Sequence, residues 1–183
     1  MFCILLGWAN DYLAYCKVII GYKQRSRRLA NSLAAINQQT DFRKGKAKQM
    51  LKIIIAENNA AVSKGVKRIL LKEYQDAVID EVVNGRQLLQ TIAENRYSLV
   101  IADVLIPGIK ITEAIKQMKT IYPLLPVLIL SMYPLDHYGI SILKAGATGF
   151  LITSLVPEKL VSAVHTVLKG KTFPSRQSLM SWH

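Results

Sequence analysis

Leu99-Val-Ile-Ala-Asp-Val-Leu-Ile-Pro-Gly108 runs four apolar residues straight into an aspartate and then a Pro-Gly turn. Val100, Ile101 and Ala102 show no polar alternation, and a strand apolar on both faces is one that helices cover on both sides, as in a buried parallel sheet. Asp103 then stands at the carboxyl end of the strand, where open α/β sheets place ligands and chemistry. Taken alone, an aspartate after a strand serves its own loop by accepting backbone N–H bonds. A chemical role requires partners elsewhere in the chain.

Outward from this strand the texture repeats. Leu51 to Ala56 reads as an apolar strand, and Ala60 to Tyr74 as a helix with Val62, Val66, Ile69 and Leu70 on one face. Ala77 to Val83 is a second strand, after which Asn84-Gly85 turns into a helix with Leu88, Leu89 and Ile92 inward. Beyond the Leu99–Ala102 strand come a helix over Thr112 to Tyr122, stopped by Pro123, a strand over Val127 to Leu130, and a helix over Leu135 to Ala145, ended by Gly146. Gly149 to Ile152 is a short fifth strand, and Pro157 to Lys169 a fifth helix with proline near its first turn and Gly170 at its end. Five βα units in succession predict a parallel sheet with helices on both faces.

At 183 residues and 51% hydrophobic content, the chain can build one well-cored domain plus an appendage. The boundaries fall at 1–49, 50–174 and 175–183. Residues 1–49 carry nine Lys and Arg against two Asp, and the remainder fifteen against ten, so the extension is the strongly basic part. Met1 to Tyr22 is apolar but broken by Asn10, Asp11 and Lys17. Each charge near the centre of a span opposes insertion by about 2.5–3.5 kcal/mol, which argues against a membrane span and leaves weak interfacial contact by residues 1–28 as the membrane reading. The basic residues follow the apolar run, the reverse of a signal peptide. Ser26 to Gln49, with Arg43-Lys-Gly-Lys-Ala-Lys48, is too polar for a packed core. Met50 stands directly before the first strand, which makes it a candidate start of translation, with residues 1–49 as upstream sequence. Cys3 and Cys16 lack metal-ligand spacing, and His137, His165 and His183 are scattered, so neither a zinc site nor a disulfide framework is expected and a reducing, cytoplasmic setting is the default.

The residues from 51 to about 174 resemble a response-regulator receiver domain of the LuxR/NarL type. The resemblance rests on Ala56-Glu-Asn-Asn59, Lys64-Gly-Val66, Asn84-Gly85, Asp103-Val-Leu-Ile-Pro-Gly108, Leu128-Ile-Leu-Ser131, Lys144-Ala-Gly-Ala-Thr-Gly-Phe-Leu151 and Pro157-Glu-Lys-Leu160, in that order and spacing. It implies a flavodoxin-like (βα)5 fold with strand order 2-1-3-4-5. It also implies that Asp103 receives a phosphoryl group from a histidine kinase or phosphotransfer protein, with Ser131 as the hydroxyl that meets the phosphoryl group and Phe150 as the aromatic switch. Mg²⁺ is then expected on Glu57, Asn58, Asp103 and the Leu105 backbone carbonyl, since this cation takes hard oxygen ligands.

The chain departs from the family at two of these places. Asn58 replaces a carboxylate by a neutral amide, and Thr153 stands at the family's lysine position, so the Mg²⁺ site is expected to be weak or absent and one cation is missing from phosphoryl-transfer chemistry. Ile111 or Lys110 stands where relatives often have glycine, which predicts a stiffer or differently shaped loop. No recognition helix can be placed before Ser181-Trp-His183, so direct sequence-specific DNA binding is not expected.

The leading expectation is an atypical receiver that signals through protein contacts, as a homodimer or with a partner regulator, by the face around its fourth and fifth helices. An intact switch acting through a lost or separate DNA-binding output is the alternative. A basic nucleic-acid-associated protein using Lys23 to Arg28 and Arg43 to Lys48 is another, weakened by the lack of interleaved aromatic platforms. No independent enzyme pattern is present.

Overall fold

The computed structural model describes residues 50–133 and 135–174. The readings of residues 1–49 and of the 175–183 tail lie outside the described residues. Five strands, β1 (Lys52–Ala56), β2 (Val78–Val82), β3 (Leu99–Asp103), β4 (Val127–Ser131) and β5 (Gly149–Ile152), form one sheet in the order β2-β1-β3-β4-β5. All neighbours are parallel. Helices α1 (Ala60–Glu73), α2 (Gly85–Glu94), α3 (Ile111–Ile121), α4 (Leu135–Ala145) and α5 (Val156–Leu168) make the crossovers, and a short 3₁₀ turn over Thr153–Leu155 leads into α5. The strand order is the one expected. Several boundaries differ by a residue or two: β3 runs on to include Asp103 and β4 to include Ser131, because the sheet ladder pairs Asp103 with Leu130 and Ser131 with Ile152.

The absence of alternation in the central strands has its reason in two cores. Ile54, Ala56, Val100, Ala102, Val127, Ile129 and Phe150 pack on the α2–α3–α4 side. Ile53, Ile55, Leu99, Ile101, Leu128, Leu130 and Leu151 pack on the other side, with Val66 and Leu70 of α1 and Leu160, Ala163, Val164 and Val167 of α5. Each fully buried large aliphatic chain among them contributes roughly 1.5–3 kcal/mol relative to exposure. Among the described residues, no helix is long and apolar enough to cross a membrane.

The two sheet edges are finished differently. β2 at one edge carries Asp80 and Glu81, and charged side chains discourage pairing with another chain. At the other edge, Phe173 lies beside β5: its carbonyl accepts the Phe150 N–H at 2.8 Å, and its N–H donates to the Thr148 carbonyl at 3.1 Å.

Candidate functional site

The parallel ladder brings the ends of four strands to one edge. β1 delivers Glu57 and Asn58 one and two residues past its end, β3 ends on Asp103, β4 ends on Ser131, and β5 delivers Thr153. An open cleft of about 410 Å³ at this edge is lined by Glu57, Asn58, Asn59, Val62, Asp103, Val104, Leu105, Met132 and Thr153. The sequence-derived residues Glu57, Asn58, Asp103, Leu105 and Thr153 therefore share one site. Ser131 and Phe150 are not among its lining residues.

Glu57 is held by its own turn. Its Oε1 accepts the Asn59 N–H at 2.9 Å, while the Asn59 side chain turns forward and caps α1, its Oδ1 accepting from Ala61 N at 3.0 Å and Val62 N at 3.4 Å. Glu57 itself is only 8% exposed. Burial raises its carboxyl above the usual range, the Asn59 N–H pulls the other way, and the nearby charge of Asp103 raises it again.

Asp103 is half-buried, and its Oδ2 accepts the Leu105 N–H at 3.0 Å. Burial raises this carboxyl too, against the pull of the Leu105 and Val104 N–H groups. The modest loop-supporting role of an aspartate after a strand is thus present, and it orients the carboxylate rather than competing with chemistry at it. The loop beyond is tied to the sheet by Val104 N–H on the Leu130 carbonyl at 2.8 Å.

Ser131 is fully buried, and its Oγ accepts the Tyr133 N–H at 3.0 Å, a bond that sets the turn after β4. Phe150, 2% exposed, is packed inward in the core on the α2–α3–α4 side. Met132, Val62 and Val104 line the cleft without having been identified as site residues from the sequence. Their signal was adjacency alone, since each lies within one to five residues of a residue that was. The rim is apolar where Leu105 is 53% and Met132 69% exposed.

The donor set has the chemistry of a hard-cation site. Glu57 and Asp103 offer carboxylates, Asn58 an amide oxygen and Leu105 a carbonyl, and oxygen donors of these kinds suit Mg²⁺. The two carboxylates repel one another and both are raised by burial, which a bound cation would offset. The fit is in kind but thin in charge. Among the described residues, no group of three His, Cys, Asp or Glu gathers as metal ligands, and none of the cleft-lining residues is Lys or Arg.

A five-stranded parallel sheet of this order, with an aspartate at the end of its central strand sharing a cleft with a second acidic group, is the architecture of a receiver domain. Residues 53–165, more than half of the chain, match the response regulator receiver domain family, and the chain belongs to it. Over 127 residues it is 31% identical to the oxygen regulatory protein NreC of Staphylococcus carnosus, covering 67% of this chain and 57% of that protein. The chain thus spans little more than half the length of this relative, and its kinship is with LuxR/NarL-type regulators, as the motifs led us to expect.

Among solved structures, a LuxR-family two-component response regulator from Aurantimonas sp. SI85-9A1 superposes with a TM-score of 0.64 at 23% identity, over 70% of this chain and 91% of that one. The chemotaxis response regulator CheY4 of Vibrio cholerae gives 0.59 at 23% identity, over 64% and 98%. At such identities these likenesses speak for the fold. Receiver domains typically bind Mg²⁺ for phosphorylation.

Proposed function

We propose that this chain is an atypical receiver, one that keeps the phosphoacceptor aspartate and the buried switch pair but has lost part of the charge that drives phosphoryl transfer. The observation that carries this reading is the composition of the cleft: Glu57 and Asp103 line it together with Asn58 and Thr153, which by resemblance stand where relatives carry a carboxylate and a lysine.

In the transfer itself, a carboxylate oxygen of Asp103 forms the P–O bond as the P–N bond to the donor's histidine breaks. Glu57, Asn58, Asp103 and the Leu105 carbonyl would hold Mg²⁺, which supplies positive charge to the phosphoryl oxygens when bound. The Leu105 N–H fixes the aspartate's orientation before transfer. Thr153 contributes a hydroxyl where a cation would neutralise charge developing on the phosphoryl group, and electrostatic support of that kind is normally among the largest catalytic effects. Ser131 would have to leave the Tyr133 N–H to meet a phosphoryl group on Asp103, and Phe150 is already packed in the interior position. The inward ring supports a resting state in which the aromatic is already buried while the serine hydroxyl is still engaged in its own turn.

Signalling then passes through protein contacts with a histidine kinase or phosphotransfer protein, and through self-association or a partner regulator. Ile140 on α4, 64% exposed, supports the α4–α5 face as the surface used.

The test is intact-mass measurement of the full chain incubated with a small acyl phosphate, with and without Mg²⁺, beside Asp103→Asn. We expect slow labelling that requires both Asp103 and Mg²⁺, and faster labelling once Asn58→Asp and Thr153→Lys are combined. Labelling of Asp103→Asn at the unmodified rate would refute the phosphoacceptor. A combined variant no faster than the original chain would refute the charge-deficit reading.

A further inference from the structure

The loop between β3 and α3, residues 104–110, carries the N–H that orients Asp103, and it is gripped from both sides. Toward β4 it is held by the Val104 N–H on Leu130. Toward α2 it lies over residues 84–86: the Gly85 N–H donates to the Pro107 carbonyl at 2.8 Å, and Gly108 takes φ 93°, a left-handed conformation that favours glycine. Ile109 completes the contact. A Cβ placed on Gly85 would stand 2.2 Å from Ile109 Cγ2 and 3.6 Å from its Cβ.

That methyl is not the loose end of a long side chain. Cγ2 is one bond from the Ile109 Cβ, χ1 of a β-branched residue is stiff, and the side chain is half-buried against the α2–α3–α4 core. A side chain at position 85 therefore forces Ile109 out of its present place in the loop that holds Leu105.

We propose that Gly85 is a positioning residue for the Asp103 loop: the missing side chain on α2 is the seat of Ile109, and the seated Ile109 sets the Leu105 N–H and carbonyl against the cleft. Asn84 supports the seat by capping α2, its Oδ1 accepting the Gln87 N–H at 2.9 Å, so the first turn of the helix is a fixed platform. The inference rests on the reading of this loop as part of the phosphoacceptor site, and the measurement below separates the two.

The experiment compares the full chain with Gly85→Ala, Ile109→Ala and the double variant. It reads the exchange rate and ¹H–¹⁵N position of the Leu105 amide, Mg²⁺ affinity by titration with MgCl₂, and the thermal midpoint. Gly85→Ala is expected to speed Leu105 exchange and to weaken Mg²⁺ binding about tenfold, the range seen when support behind a metal ligand is removed. Adding Ile109→Ala is expected to return both readouts toward the original values, because the new methyl occupies the space that Cγ2 left. A Gly85→Ala variant that melts lower but keeps the Leu105 amide and the Mg²⁺ affinity unchanged would overturn the proposal and leave Gly85 a packing residue. If the unmodified chain takes up no Mg²⁺, the metal reading fails on its own and the Leu105 amide alone decides the positioning role. If Gly85→Ala does not fold, a double variant with the original Leu105 amide supports the proposal, and one with a displaced Leu105 or no fold overturns it.

Discussion

Asn58→Asp adds a third carboxylate to the cleft of Glu57 and Asp103, and two opposite effects should follow from the same charge. Asn58 is exposed, so the aqueous end of the Coulomb scale applies. There a divalent cation about 4 Å from one added charge gains about 2 kcal/mol. At 1.4 kcal/mol per decade this is roughly a thirtyfold gain in Mg²⁺ affinity. Without the cation, the new charge faces two carboxylates that burial already raises, and the repulsion costs about 1 kcal/mol, which lowers Tm by a few degrees. Thermal melts of the full chain with and without MgCl₂, paired with calorimetric titration, read both effects. The two proteins should exchange rank: the variant melts below the original chain in metal-free buffer and above it in saturating Mg²⁺. If the variant shifts by the same amount and sign in both buffers, with unchanged affinity, position 58 does not face the cation and the donor set proposed for it is wrong.

Three further expectations can be checked on the same protein. Because Glu57 and Asp103 are both raised, the native state holds their protons more tightly than the unfolded chain; the stability they contribute is full below the ordinary carboxylate range, at about pH 4, and is lost as pH rises through the raised values. Melts taken across that range should show this loss, and Glu57→Gln should flatten it; an unchanged profile would mean that Glu57 is not held in the buried state described. Phe150→Ala removes an aromatic that is 2% exposed and should cost about 3–5 kcal/mol in denaturant unfolding. A loss below about 1 kcal/mol would place the ring outside the core. Ile140→Glu puts a charge on the exposed position of α4 and should reduce self-association in sedimentation experiments without lowering Tm; unchanged association would move the proposed contact to another face.

What could be read from the sequence follows the length scale of each cause. β1, β3 and β4 are apolar on both faces, and that pattern survives any detail of packing, so their presence in a parallel sheet was legible, while the strand order came from the resemblance. β2 was recognised despite Asp80 and Glu81, but its ends were misplaced by a residue on each side because an edge strand has fewer constraints on what faces outward. Asp103 was legible because a carboxylate at a strand end, a Pro-Gly turn and several distant motifs agreed. The orientation of its side chain was not, since that depends on one N–H two residues away. The seating of Ile109 on Gly85 was also out of reach: Asn84-Gly85 signals a turn and a helix start, and nothing in a one-dimensional pattern says which distant methyl will use the empty space. Ser131 and Phe150 were identified by resemblance, while the facts that the serine holds the next turn and the ring is already inside belong to three-dimensional packing.

The short pairing of Phe173 beside β5 has a mechanical consequence. The carbonyl of Phe173 takes the amide of the residue whose ring sits in the core, so one hydrogen bond links the backbone of Phe150 to the chain that follows α5. A shift of that strand by a fraction of a residue would pull on residue 173 as on a lever fixed at one end. The sheet thus has one edge that is merely shielded by charge and another that is fastened to its own chain, and displacement of the aromatic would be felt first at the fastened one.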